Sequence, residues 1–179
     1  MKTLSKLELL NKNMVAFRKI FNRIHGQNIN YAIHGSTALA LHGVDVIPRD
    51  IDIITTENNL IKFENAFLTL LTKEKKLSKF CKSFNSLGKQ YIIHGVDVDV
   101  WANSCYKVKS KDQTVIKFSN PIVIANNTVI LKRYGMQIPV FTLLYEYDYY
   151  KGVAENACEE WLQEKGVRRV AAIERFLKI

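Results

Sequence analysis

Three cysteines, three prolines and eight glycines in 179 residues leave little material for several architectures. Cys81, Cys105 and Cys158 are odd in number and far apart with no Cys-x-x-Cys pair, which argues against a disulfide framework or a thiolate zinc site and suits reduced thiols in a cytoplasm. So few prolines and glycines exclude a collagen-like or low-complexity chain. No run approaches the ~20 apolar residues of a membrane span. In MKTLSKLELLNKNMVAF the charges Lys2, Lys6, Glu8 and Lys12 interrupt each apolar stretch, so no signal-peptide core forms there. Acids are scarce as well: 17 Asp and Glu stand against 26 Lys and Arg, a formal charge of +9 at pH 7. That surplus predicts a field drawn to polyanions such as nucleotides, nucleic acids or anionic lipid surfaces. What is present is an ordinary core, 47% hydrophobic and 11% aromatic, enough for one packed domain but not for two independent ones. The expectation is a soluble, cytoplasmic protein without a membrane partner.

Leu4, Leu7, Leu10, Met14, Phe17, Phe21 and Ile24 recur at steps of three and four, which predicts one amphipathic helix ending near Gly26. Ile29 to Ile33 predicts a short strand, Gly35-Ser36 a tight turn, and Thr37 to Leu41 a helix. Ile47 to Thr55 alternates as a strand and Asn58 to Leu71 returns to helical spacing. Tyr91 to Trp101 reads as one long strand. Two or three further β-rich pieces follow between Thr114 and Val140, and beyond Pro139 the spacing is helical, with breaks expected at Gly152 and Gly166. The pattern predicts an α+β fold: a mixed, twisted sheet of about five strands flanked by helices. Residues 1–140 would form the core with its N-terminal helix, and 141–179 a C-terminal helical segment. The string HGVDV occurs at 42–46 and 94–98, but the flanks diverge and no repeat is inferred.

Gly35 and Ser36 end a strand and open a helix, a corner where unpaired backbone N–H groups and the helix dipole favour phosphate. Ser36 could equally serve as a simple cap. Asp50 and Asp52, two apart in a strand, share a face and repel each other unless cations neutralise them, which invites a divalent metal. Asp97 and Asp99 alternate in the same way on a second strand. If the two strands are neighbours, three or four carboxylates converge near the Gly35-Ser36 corner, the arrangement that two Mg²⁺ ions need to clamp a transferring phosphoryl group. His34, His42 and His94 read as structural, Arg49 as a surface or edge charge, and Trp101, Tyr145, Tyr147, Tyr149 and Tyr150 as packing residues. Lysines at 73, 75, 76, 79, 82 and 89, joined by Lys107, Lys109 and Lys111 and interleaved with Phe80, Phe84 and Tyr106, offer a basic region for a phosphate backbone and unstacked bases.

The run YAIHGSTALALHGVDVIPRDIDIIT, from Tyr31 to Thr55, resembles the signature of the polymerase-β-like nucleotidyltransferase superfamily: an apolar strand, Gly-Ser, a helix, then Asp-x-Asp. Val98-Asp99-Val100-Trp101 is similar to that superfamily's third-carboxylate strand. Gln137-Ile138-Pro139-Val140, followed by a helix ending in Tyr150-Lys151, is similar to the segment after the sheet in AbiEii-type abortive-infection toxins and their minimal relatives. The resemblance implies that Gly35 and Ser36 bind the triphosphate of an NTP and that Lys151 reaches a phosphate. It implies that Asp50 and Asp52 ligate two Mg²⁺ (or Mn²⁺) ions and that Asp99 is the third acid, a metal ligand and helper in deprotonating the attacking hydroxyl, with Asp97 as the alternative. An NMP group would move to a hydroxyl on RNA or tRNA, on a protein side chain, or on a small molecule such as an antibiotic. A toxin role would bring an antitoxin partner. A non-catalytic nucleotide- or RNA-binding module is the alternative, and three convergent acids argue against it.

Overall fold

The structure is a computed structural model in which residues 4–68, 84–107, 115–117 and 120–179 are described. Helix α1 (Lys6–Ile24) begins where Ser5 accepts the N–H of Glu8 and Glu8 accepts the N–H of Ser5 at 2.7 Å, a reciprocal cap. Strand β1 (Tyr31–His34) runs directly into α2 (Gly35–His42), followed by β2 (Ile51–Thr55) and α3 (Glu57–Phe67). Strands β3 (Phe84–Ile93), β4 (Val96–Lys107) and β5 (Val115–Lys117) precede α4 (Pro121–Asn126). The chain closes with β6 (Thr128–Arg133), β7 (Met136–Phe141), α5 (Leu143–Asn156) and α6 (Glu160–Leu177).

The sheet has the order β3-β4-β2-β1-β7-β6, with β5 paired to β4. The pairs β2–β4 and β1–β7 are parallel and the others antiparallel. Alternation assigns the faces. Ile33, Ile51, Ile53, Val98 and Val100 point to one side, where Phe17 and Ile20 of α1 and Phe63 and Phe67 of α3 cover them. Ala32, Ile54 and Phe141 point to the other, against Ile124 of α4. There α2, α5 and α6 share a second apolar cluster built on Leu39, Tyr150 and Ile173.

The α+β class and mixed sheet are as expected, with seven strands among the described residues where about five were predicted. Tyr91–Trp101 is not one strand: it reverses at His94 (φ 51°) and Gly95 (φ 71°), a left-handed pair that lets Ile93 face Val96 in a two-residue hairpin. Strand β2 begins only at Ile51, four residues later than the alternation suggested. Asn120 caps and Pro121 opens α4, a helix inside a stretch read as β-rich. Strand β7 passes through Pro139, and neither Gly152 nor Gly166 breaks a helix; the chain turns at Ala157–Glu159 instead. Gly166 sits where α6 crosses α5: a Cβ there would stand 2.6 Å from the Ala154 nitrogen and 2.8 Å from the Tyr150 carbonyl oxygen. The helix predicted to Leu71 ends at Phe67, and its residues beyond Leu68 and most of the lysine-rich region lie outside the described residues; Lys89 is described and pairs with Glu64 at 2.5 Å.

Candidate active site

The end of β1 and the start of α2 form a corner. Gly35 takes φ +75°, and a Cβ on it would come within 2.8 Å of Asp52 Oδ2, so both backbone and space require glycine. Across the β1–β2 ladder Asp52 faces His34, and across the parallel β2–β4 ladder it faces Asp99. Acids from two separately encoded strands thus stand side by side on the face turned away from α1 and α3. Asp50 lies just ahead of β2. Its carboxylate accepts a hydrogen bond from Ser36 Oγ at 3.2 Å, and its carbonyl accepts from Thr37 Oγ1 at 2.5 Å and from Asn13 Nδ2 at 3.2 Å. Buried Asn13, reaching also Pro48 O (3.2 Å) and Thr37 Oγ1 (3.0 Å), ties the segment carrying Asp50 to α1. Gln90 donates to Asp99 Oδ2 at 2.8 Å and Trp101 Nε1 donates to Asp52 Oδ1 at 3.4 Å. Asp97 is exposed, opposite Ile92, two residues out of register with Asp52.

Burial, then the neighbouring charge of Asp50, push the Asp52 carboxyl up to about 7; Asp99 adds to the rise, while His34 and Lys165 oppose it. Burial and the neighbouring carboxylate thus both work against the ionised form of Asp52. Among the described residues no group of three or more His, Cys, Asp or Glu side chains closes into a metal cage. The donor set still fits a hard divalent ion. It is carboxylate only, and Mg²⁺ is commonly held by one or two carboxylates with substrate phosphates completing its shell.

Behind the corner lies a residue the sequence did not flag. Glu146 of α5 is fully buried and its Oε1 accepts from His34 Nδ1 at 2.8 Å and from the Gly35 N–H at 3.0 Å, while Oε2 has no hydrogen-bond partner among the described residues. Burial works to lower the pKa of His34, but the Glu146 carboxylate more than reverses it and the imidazole stays raised. Tyr149 meets the His34 ring edge-on at 4.5 Å and Tyr150 stacks on it at 6.1 Å. His34 is thus structural, as expected, but as half of an ion pair beneath the corner. Because Glu146 takes the Gly35 N–H, the first-turn N–H groups without an intrahelical acceptor are those of Ser36 and Thr37. The available signal was an acid four residues before Tyr150, on the same helical face, in a run of apolar and aromatic residues. Lys151 lies exposed on α5. A cavity of about 510 Å³ near Phe21, Tyr31 and Met136 sits at the opposite end of β1, away from the acids.

Residues 16–162 match the aminoglycoside-2''-adenylyltransferase family. The chain belongs to that family. This aminoglycoside-2''-adenylyltransferase family member is accordingly a nucleotidyltransferase, and its solved likenesses agree. A Thermotoga maritima protein described as a nucleotidyltransferase is 26% identical with TM-score 0.68, covering 94% of this chain and 94% of its own. ANT(2'')-Ia, solved with adenylyl-2''-tobramycin, shares the fold at 16% identity and TM-score 0.57, over 91% of this chain and 88% of its own. The lincosamide antibiotic adenylyltransferase LnuA, solved with lincomycin, does so at 14% identity and TM-score 0.54, over 89% and 96%. No curated protein matches the sequence significantly. None of the proteins named here is an abortive-infection toxin, so the finer likeness drawn from Gln137–Lys151 has no support from them. Among the described residues no helix is long and apolar enough to cross a membrane.

Proposed function

We propose that this nucleotidyltransferase moves an NMP group from an NTP to a hydroxyl of a small molecule, with divalent metal at Asp50, Asp52 and Asp99. The observation that carries this reading is the register pair Asp52–Asp99 beside the Gly35–Ser36 corner. When bound, Mg²⁺ or Mn²⁺ would neutralise the phosphate oxygens and lower the pKa of the acceptor hydroxyl. The protein's own part is positioning and charge. Ser36 and Thr37 present first-turn N–H groups to phosphate oxygens. Ser36 Oγ, donating to Asp50, holds that carboxylate at the corner. Asp99, fixed by Gln90, is the acid that accepts the acceptor's proton. Asp97 is exposed and out of register, which favours Asp99 for that role. Trp101 Nε1 on one Asp52 oxygen leaves the other directed at the corner, where Gly35 leaves room for it.

The relatives' antibiotic ligands support a small hydroxylated acceptor. The chain's formal +9 disfavours a polycationic one, so a neutral or weakly charged acceptor suits it better than an aminoglycoside. The test is incubation with each α-labelled NTP, Mg²⁺, and tobramycin, lincomycin or total RNA. Label is expected in a small-molecule fraction and absent with Asp52→Asn. Label appearing in RNA would move the acceptor to that class and restore the lysine-rich region as its binding face. If no fraction gains label, enzymatic transfer is lost as a reading.

A further inference from the structure

The cavity of about 510 Å³ lies where the fold leaves its own elements loosely joined. Register pairing of β1 with β7 is confined to Ile33 and Val140, and Tyr31 and Met136, nearer the leading ends of the two strands, line the space. Two tight turns complete the wall, one after α1 with Gly26 (φ 81°) and Asn28 (φ 49°), the other between β6 and β7 with Gly135 (φ 67°). A Cβ on Gly26 would meet nothing within 4 Å, and one on Gly135 only Arg18 Nη2 at 3.9 Å, so both turns border open space. The Tyr31 ring packs at 5.6 Å on Phe63 and 6.5 Å on Phe17, on the sheet face opposite the acids and about 13 Å along β1 from Gly35. An occupant here would not touch the acids.

The wall itself is apolar and aromatic. Phe21 and His25 set their rings 4.9 Å apart, and Ile24, Ile130 and Pro139 supply aliphatic surface. Among the described residues no carboxylate lines it, and two cations stand at its rim. Arg18 donates to the carbonyl of Tyr134 beside Gly135, and Lys62 donates to the carbonyls of Asn28 at 3.4 Å and Gln27 at 3.5 Å. Neither forms a salt bridge among the described residues, so a carbonyl fixes the position of each while its charge stays unneutralised. The Tyr31 hydroxyl has no hydrogen-bond partner among the described residues and keeps accessible surface; burial holds its pKa above the ordinary value, so it remains a donor. A volume of this size suits a small molecule, held by apolar and aromatic walls with a few fixed polar groups. We propose that the cavity is a second ligand site, for an aromatic molecule carrying one carboxylate or sulfonate. Its rings would lie against Phe21, His25 and Tyr31, with its anionic group in the field of Arg18 and Lys62. The same charges disfavour a cationic occupant. This inference is independent of the nucleotidyl-transfer reading.

The test titrates the full chain with anilinonaphthalene sulfonate, an aromatic anion whose fluorescence rises in apolar surroundings, and with phenylnaphthylamine, the same rings without the sulfonate. One saturable equivalent of the sulfonate per chain is expected, bound more tightly than its neutral counterpart. Ile130→Trp, at an exposed position of β6, should fill the mouth and abolish the saturable signal of both dyes. Tyr31→Phe keeps the ring packing and should weaken the sulfonate about threefold or more. Arg18→Gln and Lys62→Gln each keep a donor for the carbonyl; each should weaken the sulfonate about two- to fivefold and leave the neutral dye unchanged. Thermal midpoints verify that each variant is folded. A signal that does not saturate, that survives Ile130→Trp, or that NTP with Mg²⁺ displaces would overturn the proposal. Equal affinity of wild type for the two dyes, or no binding of either, would overturn it as well.

Discussion

Asp52 has Asp50 two residues behind it and Asp99 across the ladder, and burial together with those charges raises its carboxyl from the ordinary 3.8 to about 7. Between those two values the native state binds more protons than the unfolded chain, so stability falls as pH rises through that window. His34 acts in the same direction. Its raised pKa makes the Glu146 pair fully stabilising below 6.5, and that contribution is lost as pH climbs through the elevated value. Metal-free wild-type protein should therefore melt at progressively lower temperature from pH 4 to pH 7. Asp52→Asn should flatten most of that slope, gain on the order of 1–3 kcal/mol at neutral pH, and lose about 10³-fold in turnover. A variant less stable than wild type at pH 7 without metal would refute the charge-repulsion account. Glu146 sets a second contrast. Glu146→Gln keeps an acceptor for the Gly35 N–H and should fold, whereas Glu146→Ala leaves that N–H and His34 buried without a partner and should cost about 3–5 kcal/mol by denaturant unfolding.

At the scale of elements, α5 links the apolar clusters to chemistry: one face carries Glu146 and Tyr150 to the corner and the other meets α6. Helix propensity alone would favour Gly166→Ala by about 0.5–1 kcal/mol. The close crossing opposes it, since the new Cβ meets backbone rather than a side chain that could move. Overpacking of that kind costs about 1–3 kcal/mol, so the net effect should be destabilising, with turnover lost as Tyr150 shifts. Calorimetric melts and initial rates measured together check it; an alanine variant that melts higher and keeps full activity would show that the helices can part freely. Strand β3 holds a related device at Gly88, where a Cβ would stand 2.3 Å from the Trp101 ring and 2.9 Å from the Val100 carbonyl oxygen, so the indole lies over the glycine while its Nε1 reaches Asp52. Gly88→Ala should displace Trp101, quench or shift its fluorescence, and raise KM or lower kcat.

Across the whole molecule, the sheet brings one parallel neighbour to each side of the antiparallel β1–β2 pair, β4 against β2 and β7 against β1, and the acids Asp50, Asp52 and Asp99 gather where β2, β4 and α2 meet. A divalent ion that binds the native state alone should raise the neutral-pH melting temperature of wild type by mass action and leave Asp52→Asn nearly unmoved. An equal rise in both proteins would place the ion elsewhere. Much of this was legible in the chain. The α1 periodicity, the strand–Gly–Ser–helix corner and the Asp-x-Asp alternation are local patterns, set by helix and strand repeats that a sequence carries on its face. The hairpin at His94–Gly95 was hidden because apolar alternation continues through the turn on both sides of it. Gly152 and Gly166 suggested breaks because their role is contact or tolerance, which propensity does not encode. The sequence alone determined the residue types and their faces. Only the tertiary structure decided that Asp99 rather than Asp97 stands beside Asp52, that Glu146 lies under Gly35, and that the charge of Lys165 reaches Asp52. Those pairings join residues 47 to 113 positions apart, and parallel register and helix crossing, not local preference, bring such distant side chains together.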